Sequence, residues 1–252
     1  MFYPLYSKEA GKAGVSFIEI QNPFNNLMFY LRITMFIGHF AVGLAAKSVK
    51  PTVSLGTYFL AVQFVDLLWP TLLLVGLERV SISPGITEMT PLDFEHYPIT
   101  HSLIMTVVWA GLALLLFYLF KKDLKAALVV AACVASHWLL DFITHRPDLP
   151  LAFSDATRVG LGLWNNKILT IAVESLLFVI GLGLYLRSTR SSDKIGTYGF
   201  LGLIAFLVVI HISNIFGPPP PNVAAIAWAG HLQWIFVIWA YWVDAHRNVT
   251  WT

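Results

Sequence analysis

Thiols and charge are the scarce ingredients of this chain. One cysteine, Cys133, stands among 252 residues. That excludes a disulfide framework and any thiolate-built metal site. Only 12% of the residues are charged, against about 25% in a soluble domain. A net charge of +2 gives no footprint for nucleic acid, and no such partner is expected. No internal repeat is visible, and the one biased tract is Pro218–Pro221, a stiff extended connector. A cleavable leader is not expected either: the longest apolar run near the start, Val15–Ile20, is broken by Ser16 and Glu19.

What the chain has is apolar length. Hydrophobic residues make up 57% of it. A membrane span needs about 20 consecutive apolar residues. Windows of that kind run over Thr52–Leu77, Ile99–Phe120, Leu124–Ile143, Lys167–Leu186, Gly196–Phe216 and Val223–Val243. A seventh covers about Leu27–Ala46. The expected fold is all-α: a polytopic transmembrane bundle of about seven spans, surrounded by membrane lipid. Residues 35–252 form its single domain, and residues 1–34 are an amphiphilic extension.

Seven crossings place the two termini on opposite sides. The side of the C-terminus holds Lys47, Lys50, Lys121, Lys122, Lys125, Arg187, Arg190, Lys194 and Arg247, clustered in short loops. The other side holds Lys8, Lys12, Arg32, Arg79, Arg146, Arg158 and Lys167. Short basic loops mark the cytoplasmic face. The N-terminus is therefore expected outside and the C-terminus in the cytoplasm. The Lys121, Lys122 and Lys125 face is a solvated one that touches anionic lipid.

On this topology the ionisable groups of the spans gather in the outer half. They are His39, Asp66, His96, His101, His137, Asp141, His145, Glu174, His211 and His231. Such groups are costly in lipid and usually face a bundle interior or one another. The densest set is in SHWLLDFITHRPDLP, where His137, Asp141 and His145 follow at four-residue steps. On a helix this stripe drifts ~80° while climbing ~12 Å. His137 and Asp141 can share an ion as an i, i+4 pair, and His145 falls outside it. Imidazole with carboxylate suits zinc or another divalent transition ion. The ordinary alternative is a hydrogen-bonded polar cluster at a helix interface.

Asp66 lies in VQFVDLLWP. Pro70 cannot donate to the Asp66 carbonyl, so a kink at the acid is expected. In EHYPITHS, Pro98 suits the first position of a helix, with His101 in the first turn. His96, Glu95 and Asp93 then sit in the loop above. Gly38-His39 is weak alone. Glu174 and His231 read as neighbours of a site or as helix packing, His211 as structural, and Trp69, Trp164 and Trp242 as core or interface anchors.

The segments GHFAVGLAAK, QFVDLLWP, EHYPITHSL and SHWLLDFITHRPDLPL resemble the YdjM-like family of bacterial inner-membrane proteins, the membrane-bound metal-dependent hydrolases. The likeness covers about residues 35–150. It implies that His39, Asp66, His101, His137 and Asp141 bind a divalent metal, zinc by type. More distantly, the order of these groups is similar to that of the zinc-dependent phospholipase C and P1-type nuclease group. Where many family members carry D-x-D-H, this chain has Asp66-Leu67-Leu68-Trp69, so two ligands are missing. Family chains tend to begin near the GH motif, which makes Met35 a candidate start.

The reading that follows is a hydrolase of the bacterial inner membrane. It acts on a phosphate or carboxylic ester, lipid-like in view of the site's depth. His145, or His96 with Glu95, would relay protons, and Arg79 and Arg146 would bind phosphate. The rival reading is a transporter or proton-coupled channel, which expects polar groups continuing to the cytoplasmic side. A His-ligated haem carrier is the third.

Overall fold

The structure is a computed structural model that describes residues 37–154 and 157–250. Residues 27–36 of the first expected span, with Arg32, lie outside the described residues. So do the extension 1–34, with Lys8 and Lys12, and the candidate start Met35.

Helices dominate, and polar caps fix where they begin. The first is Ile37–Val49 (α1). Leu55–Val62 (α2) starts at Ser54, whose hydroxyl accepts from the Gly56 N–H. Phe64–Leu74 (α3) follows after one residue, bent from α2 by 51°. A hairpin of Arg79–Ile82 (β1) and Leu92–His96 (β2) comes next. Pro98–His101 is a single turn (α4). The chain then restarts as Leu103–Lys121 (α5), capped by Ser102 on the Met105 N–H. Lys122 adopts a left-handed conformation, and Asp123 caps Leu124–Thr144 (α6) on the Ala126 N–H. A two-residue pair, Leu149–Pro150 (β3) with Arg158–Val159 (β4), precedes Lys167–Ser188 (α7).

Thr189–Ser191 (β5) leads through a π-helical turn, Ile195–Gly199, into Phe200–Phe216 (α8). Val223–His231 (α9) and Gln233–Asp244 (α10) form one 22-residue stretch interrupted at Leu232. Arg247–Val249 (β6) returns to pair with β5. Five of these helical stretches are long and apolar enough to cross a membrane, or six if the bent α2–α3 pair is one span. The described part of the first expected span, α1, has 13 residues. The chain is a multi-pass helical bundle whose outer faces carry residues such as Phe120 and Ile168, each more than 80% exposed.

Two sequence expectations shift. Pro70, where a kink was expected, sits inside α3, and the 51° bend lies before it, between α2 and α3. The break falls at Gln63, whose N–H folds back onto the Phe59 and Ala61 carbonyls. It faces the interruption of α9–α10, where Gln63 Nε2 donates to Gln233 Oε1 at 2.7 Å. Pro70 instead packs on α9, where a Cβ on Gly230 would stand 2.5 Å from its ring. The expected helix over 99–120 is also two pieces, because extended Ser102 separates α4 from α5.

The ends of the bundle are tied differently. At the basic end, Lys47 Nζ lies 2.6 Å from Asp244 Oδ2, both nearly buried. Asp244 also accepts from Leu55 N–H and from Tyr185 OH. The C-terminal half of the chain is thus stapled to α1, and this end holds a buried ion pair that span counting had not placed there. Nearby, Arg247 lies over the Phe200 ring and donates to the Gly196 carbonyl. The Gly196 N–H and His246 together hold the exposed Asp193 carboxyl below its ordinary range. Between α1 and α7 the backbones nearly touch: a Cβ on Gly181 would stand 2.3 Å from the Ala41 carbonyl oxygen.

Candidate metal centre

The α2–α3 break positions the site. In a continuous helix the Val62 carbonyl would accept from the Asp66 N–H. Freed by the break, it accepts from His137 Nδ1 at 2.6 Å. A carbonyl only accepts, so the proton is on Nδ1 and the Nε2 lone pair faces inward. His101 is fixed the same way. Its Nδ1 meets Thr100 Oγ1 at 2.6 Å, and that hydroxyl donates its one proton to Glu78 Oε2, also at 2.6 Å. His101 Nδ1 must then be the donor, and Nε2 carries the lone pair. Glu78 Oε1 meanwhile accepts the Ile99 and Thr100 N–H groups. That satisfies the first turn of α4 and sets His101 in place.

Five buried groups converge, one each from α1, α3 and α4 and two from α6: His39, Asp66, His101, His137 and Asp141. His39 Nε2 is 3.2 Å from Asp141 Oδ1, and His137 Nε2 is 3.2 Å from Asp141 Oδ2. His101 Nε2 is 3.3 Å from Asp66 Oδ1 and 3.8 Å from Asp141 Oδ2. His137 Nε2 is 3.6 Å from Asp66 Oδ1. The His39 and His137 rings stack in parallel, 3.8 Å apart.

Two observations test whether such groups fit a metal ion. Charge-assisted N–H···O bonds run at about 2.7–2.9 Å, shorter than these separations. Ligands at about 2.0–2.1 Å from a tetrahedral zinc stand about 3.3 Å apart along each edge, which does match. Second, His137 Nε2, Asp66 Oδ2 and Asp141 Oδ2 are buried without a hydrogen-bond partner. Apart from one long contact, His101 Nε2 to Asp66 Oδ1 at 3.3 Å, these near neighbours do not bond one another, as lone pairs aimed at a shared point would not. The groups fit a divalent ion, whose charge would balance two carboxylates in an apolar interior.

They divide into two overlapping triads, His39–His137–Asp141 and Asp66–His101–His137. His137 belongs to both and has a single inward lone pair. The cluster can therefore hold one ion on His137, not two. Each triad is a two-imidazole, one-carboxylate set that leaves a fourth position open, as catalytic zinc sites do. In Asp66–His101–His137, both imidazoles have Nδ1 anchored on an acceptor, the usual support for metal-binding histidines.

The remaining expected site residues fall outside the cluster. His145 is buried one layer out, with Nδ1 2.9 Å from Asp148 Oδ1 and its ring packed on Trp164. Tyr97 lies between, 5.2 Å from the His101 ring and 3.3 Å from His145 Nδ1 through its hydroxyl. Burial and then Asp148 push the Tyr97 phenol well above its ordinary range. Arg146 is bound by Asp93 and by Asp148. Arg79 is exposed and pairs in register with His96, while Glu95 is exposed beside it. Trp69 and Trp164 belong to the buried layer over this end.

Glu174 forms a separate polar group, accepting from the Gly38 N–H with His211 3.9 Å away. His231 joins Thr71 Oγ1 and the Ala227 carbonyl. Sequence reasoning missed Glu78, Thr100 and Asp148. Only Thr100 had a signal, as the hydroxyl beside His101. Compared with known proteins, the chain matches no family model, no curated protein and no solved structure.

Proposed function

We propose that the chain is a membrane-embedded metal-dependent hydrolase acting on a phosphate or carboxylic ester in the outer half of the membrane, with the basic end cytoplasmic. The observation that carries it is the gathering of three imidazoles and two carboxylates into two buried triads that share His137, with two imidazoles pre-set by their Nδ1 partners. The motif resemblance to membrane-bound metal-dependent hydrolases, read from the sequence alone, would imply the same reading.

Asp66, His101 and His137 would hold the ion, zinc by donor type. Bound there, it would supply Lewis acidity toward an ester oxygen and would acidify water. Asp141, with Oδ2 3.2 Å from His137 Nε2, would take the proton of the attacking water as general base. His39 Nε2, 3.2 Å from Asp141 Oδ1, would share it, and Asp141 would then give it to the leaving oxygen. His145, oriented by Asp148, would relay protons between this centre and the layer above it. Arg146 holds Asp148 in place through its Nε at 3.0 Å.

The test is hydrolysis by zinc-loaded protein in nanodiscs, offered phosphate-ester and carboxylic-ester lipids in parallel. One class turns over; Asp141→Asn abolishes turnover while keeping the ion, and His137→Ala loses both. Stoichiometric zinc without turnover on either class would overturn the hydrolase reading.

One observation favours transport instead. Two interrupted helices, α2–α3 and α9–α10, face each other across the Gln63–Gln233 bond, as broken helices do in transporters. Zinc flux into proteoliposomes that depends on Gln63 would support that alternative.

A further inference from the structure

α5 is the outlier of the bundle. It packs along α6 and buries almost nothing else: Thr106 is its one buried residue. Between α5 and the α2–α10 pair runs a trough of about 550 Å³. Its walls are apolar, with Leu60, Phe64, Trp109, Ala113, Phe117 and Val130 among them. At the basic end it opens into a second space of about 400 Å³. Thr57, Phe117, Lys121 and Tyr241 line both spaces, so they form one groove. It shares no residue with the metal centre.

The polarity changes along the groove in one direction. Hydroxyls of Thr52, Ser54, Thr57 and Tyr241 surround the mouth, together with Lys121 and Asp123. Asp123 is already engaged, by Lys50 at 2.7 Å and by the Ala126 N–H. Lys121 makes no ion pair among the described residues, so the mouth carries a net positive charge. From Lys121 back to Trp109 is about 18 Å along the helix. One leaflet of a bilayer has about 15 Å of hydrocarbon. The groove thus presents a cation and hydroxyls at headgroup depth, then an apolar channel about one leaflet deep.

The geometry points to a binding site for a single anionic phospholipid from the leaflet at the basic end. Its phosphate lies against Lys121 and the mouth hydroxyls, and one acyl chain lies between α5 and α2. Charge complementarity selects the headgroup, because one lysine near the surface favours an anionic lipid about fivefold. The chain fills the space that keeps α5 from closing on α10.

Native mass spectrometry tests this on the full chain, transferred from vesicles of equal phosphatidylglycerol and phosphatidylcholine. Wild type is expected to retain one lipid, with phosphatidylglycerol favoured about fivefold. Lys121→Gln, an exposed substitution, brings the ratio near one while a lipid is still retained. Ala113→Trp fills the channel and releases both lipids. Equal retention of the two lipids by wild type, or unchanged preference in Lys121→Gln, overturns the assignment. So does phosphatidylglycerol still held by Ala113→Trp, or a lipid-free dimer seated on this face.

Discussion

Thr100→Val isolates the support of one metal-binding imidazole. Valine matches threonine in shape, so the fully buried position keeps its packing. Glu78 Oε1 keeps both backbone donors, at 2.8 and 2.9 Å, so α4 stays capped. Two contacts vanish, each 2.6 Å long: Thr100 Oγ1 to Glu78 Oε2, and His101 Nδ1 to Thr100 Oγ1. His101 is then left with a buried Nδ1–H lacking an acceptor, or with its proton moved to Nε2, where the lone pair is needed. An unmet buried group costs about 1–3 kcal/mol. Loss of a supporting partner typically weakens metal affinity 10–100-fold, about 1.4–2.7 kcal/mol. The assay is competition for zinc with a chelator of known affinity, on detergent-purified protein, with thermal stability followed alongside. Affinity within twofold of wild type, at unchanged stability, would refute the role given to Thr100 and Glu78.

Other outcomes follow from the packing and the ion pairs. Lys47→Met leaves Asp244 buried beside no cation and should cost about 3–5 kcal/mol; Lys47→Met with Asp244→Asn should recover most of it in denaturant melts. Gly181→Val drives a side chain into the Ala41 carbonyl and should cost about 3 kcal/mol or more, read as a lower melting temperature. His145→Gln should leave zinc binding within a few-fold of wild type and remove most turnover. Asp193, with its pKa lowered in the folded chain, contributes stability in full above its ordinary range near pH 4 and loses it as pH falls through the lower folded value. Hydrogen-exchange protection of the β5–β6 pair should therefore fail only in stronger acid, and Asp193→Asn should abolish that dependence.

The helical, membrane-spanning character was legible because apolar length is a local property. His137 and Asp141 were legible because i, i+4 spacing on a helix places them together whatever else the chain does. Asp66 showed as a lone acid deep in an apolar run, and His101 as a polar group at the start of one. Their convergence could be argued only from depth in a shared half of the bundle. The supports were hidden. Glu78 lies 22 residues from Thr100 and Asp148 sits past the end of a helix, so neither obeys a period. A kink at Pro70 is legible because proline is the usual signal; the break at Gln63, a lone amide in an apolar run, carries no such signal. Lys47 and Asp244 are 197 residues apart, and nothing local links them.

Metal content of the purified chain tests the central claim most directly. Wild type prepared without chelators should carry one zinc-type ion per chain, and His137→Ala, which removes the group common to both triads, should carry none. A full equivalent of metal in folded His137→Ala, or wild type that takes up no ion when zinc is supplied, would contradict it.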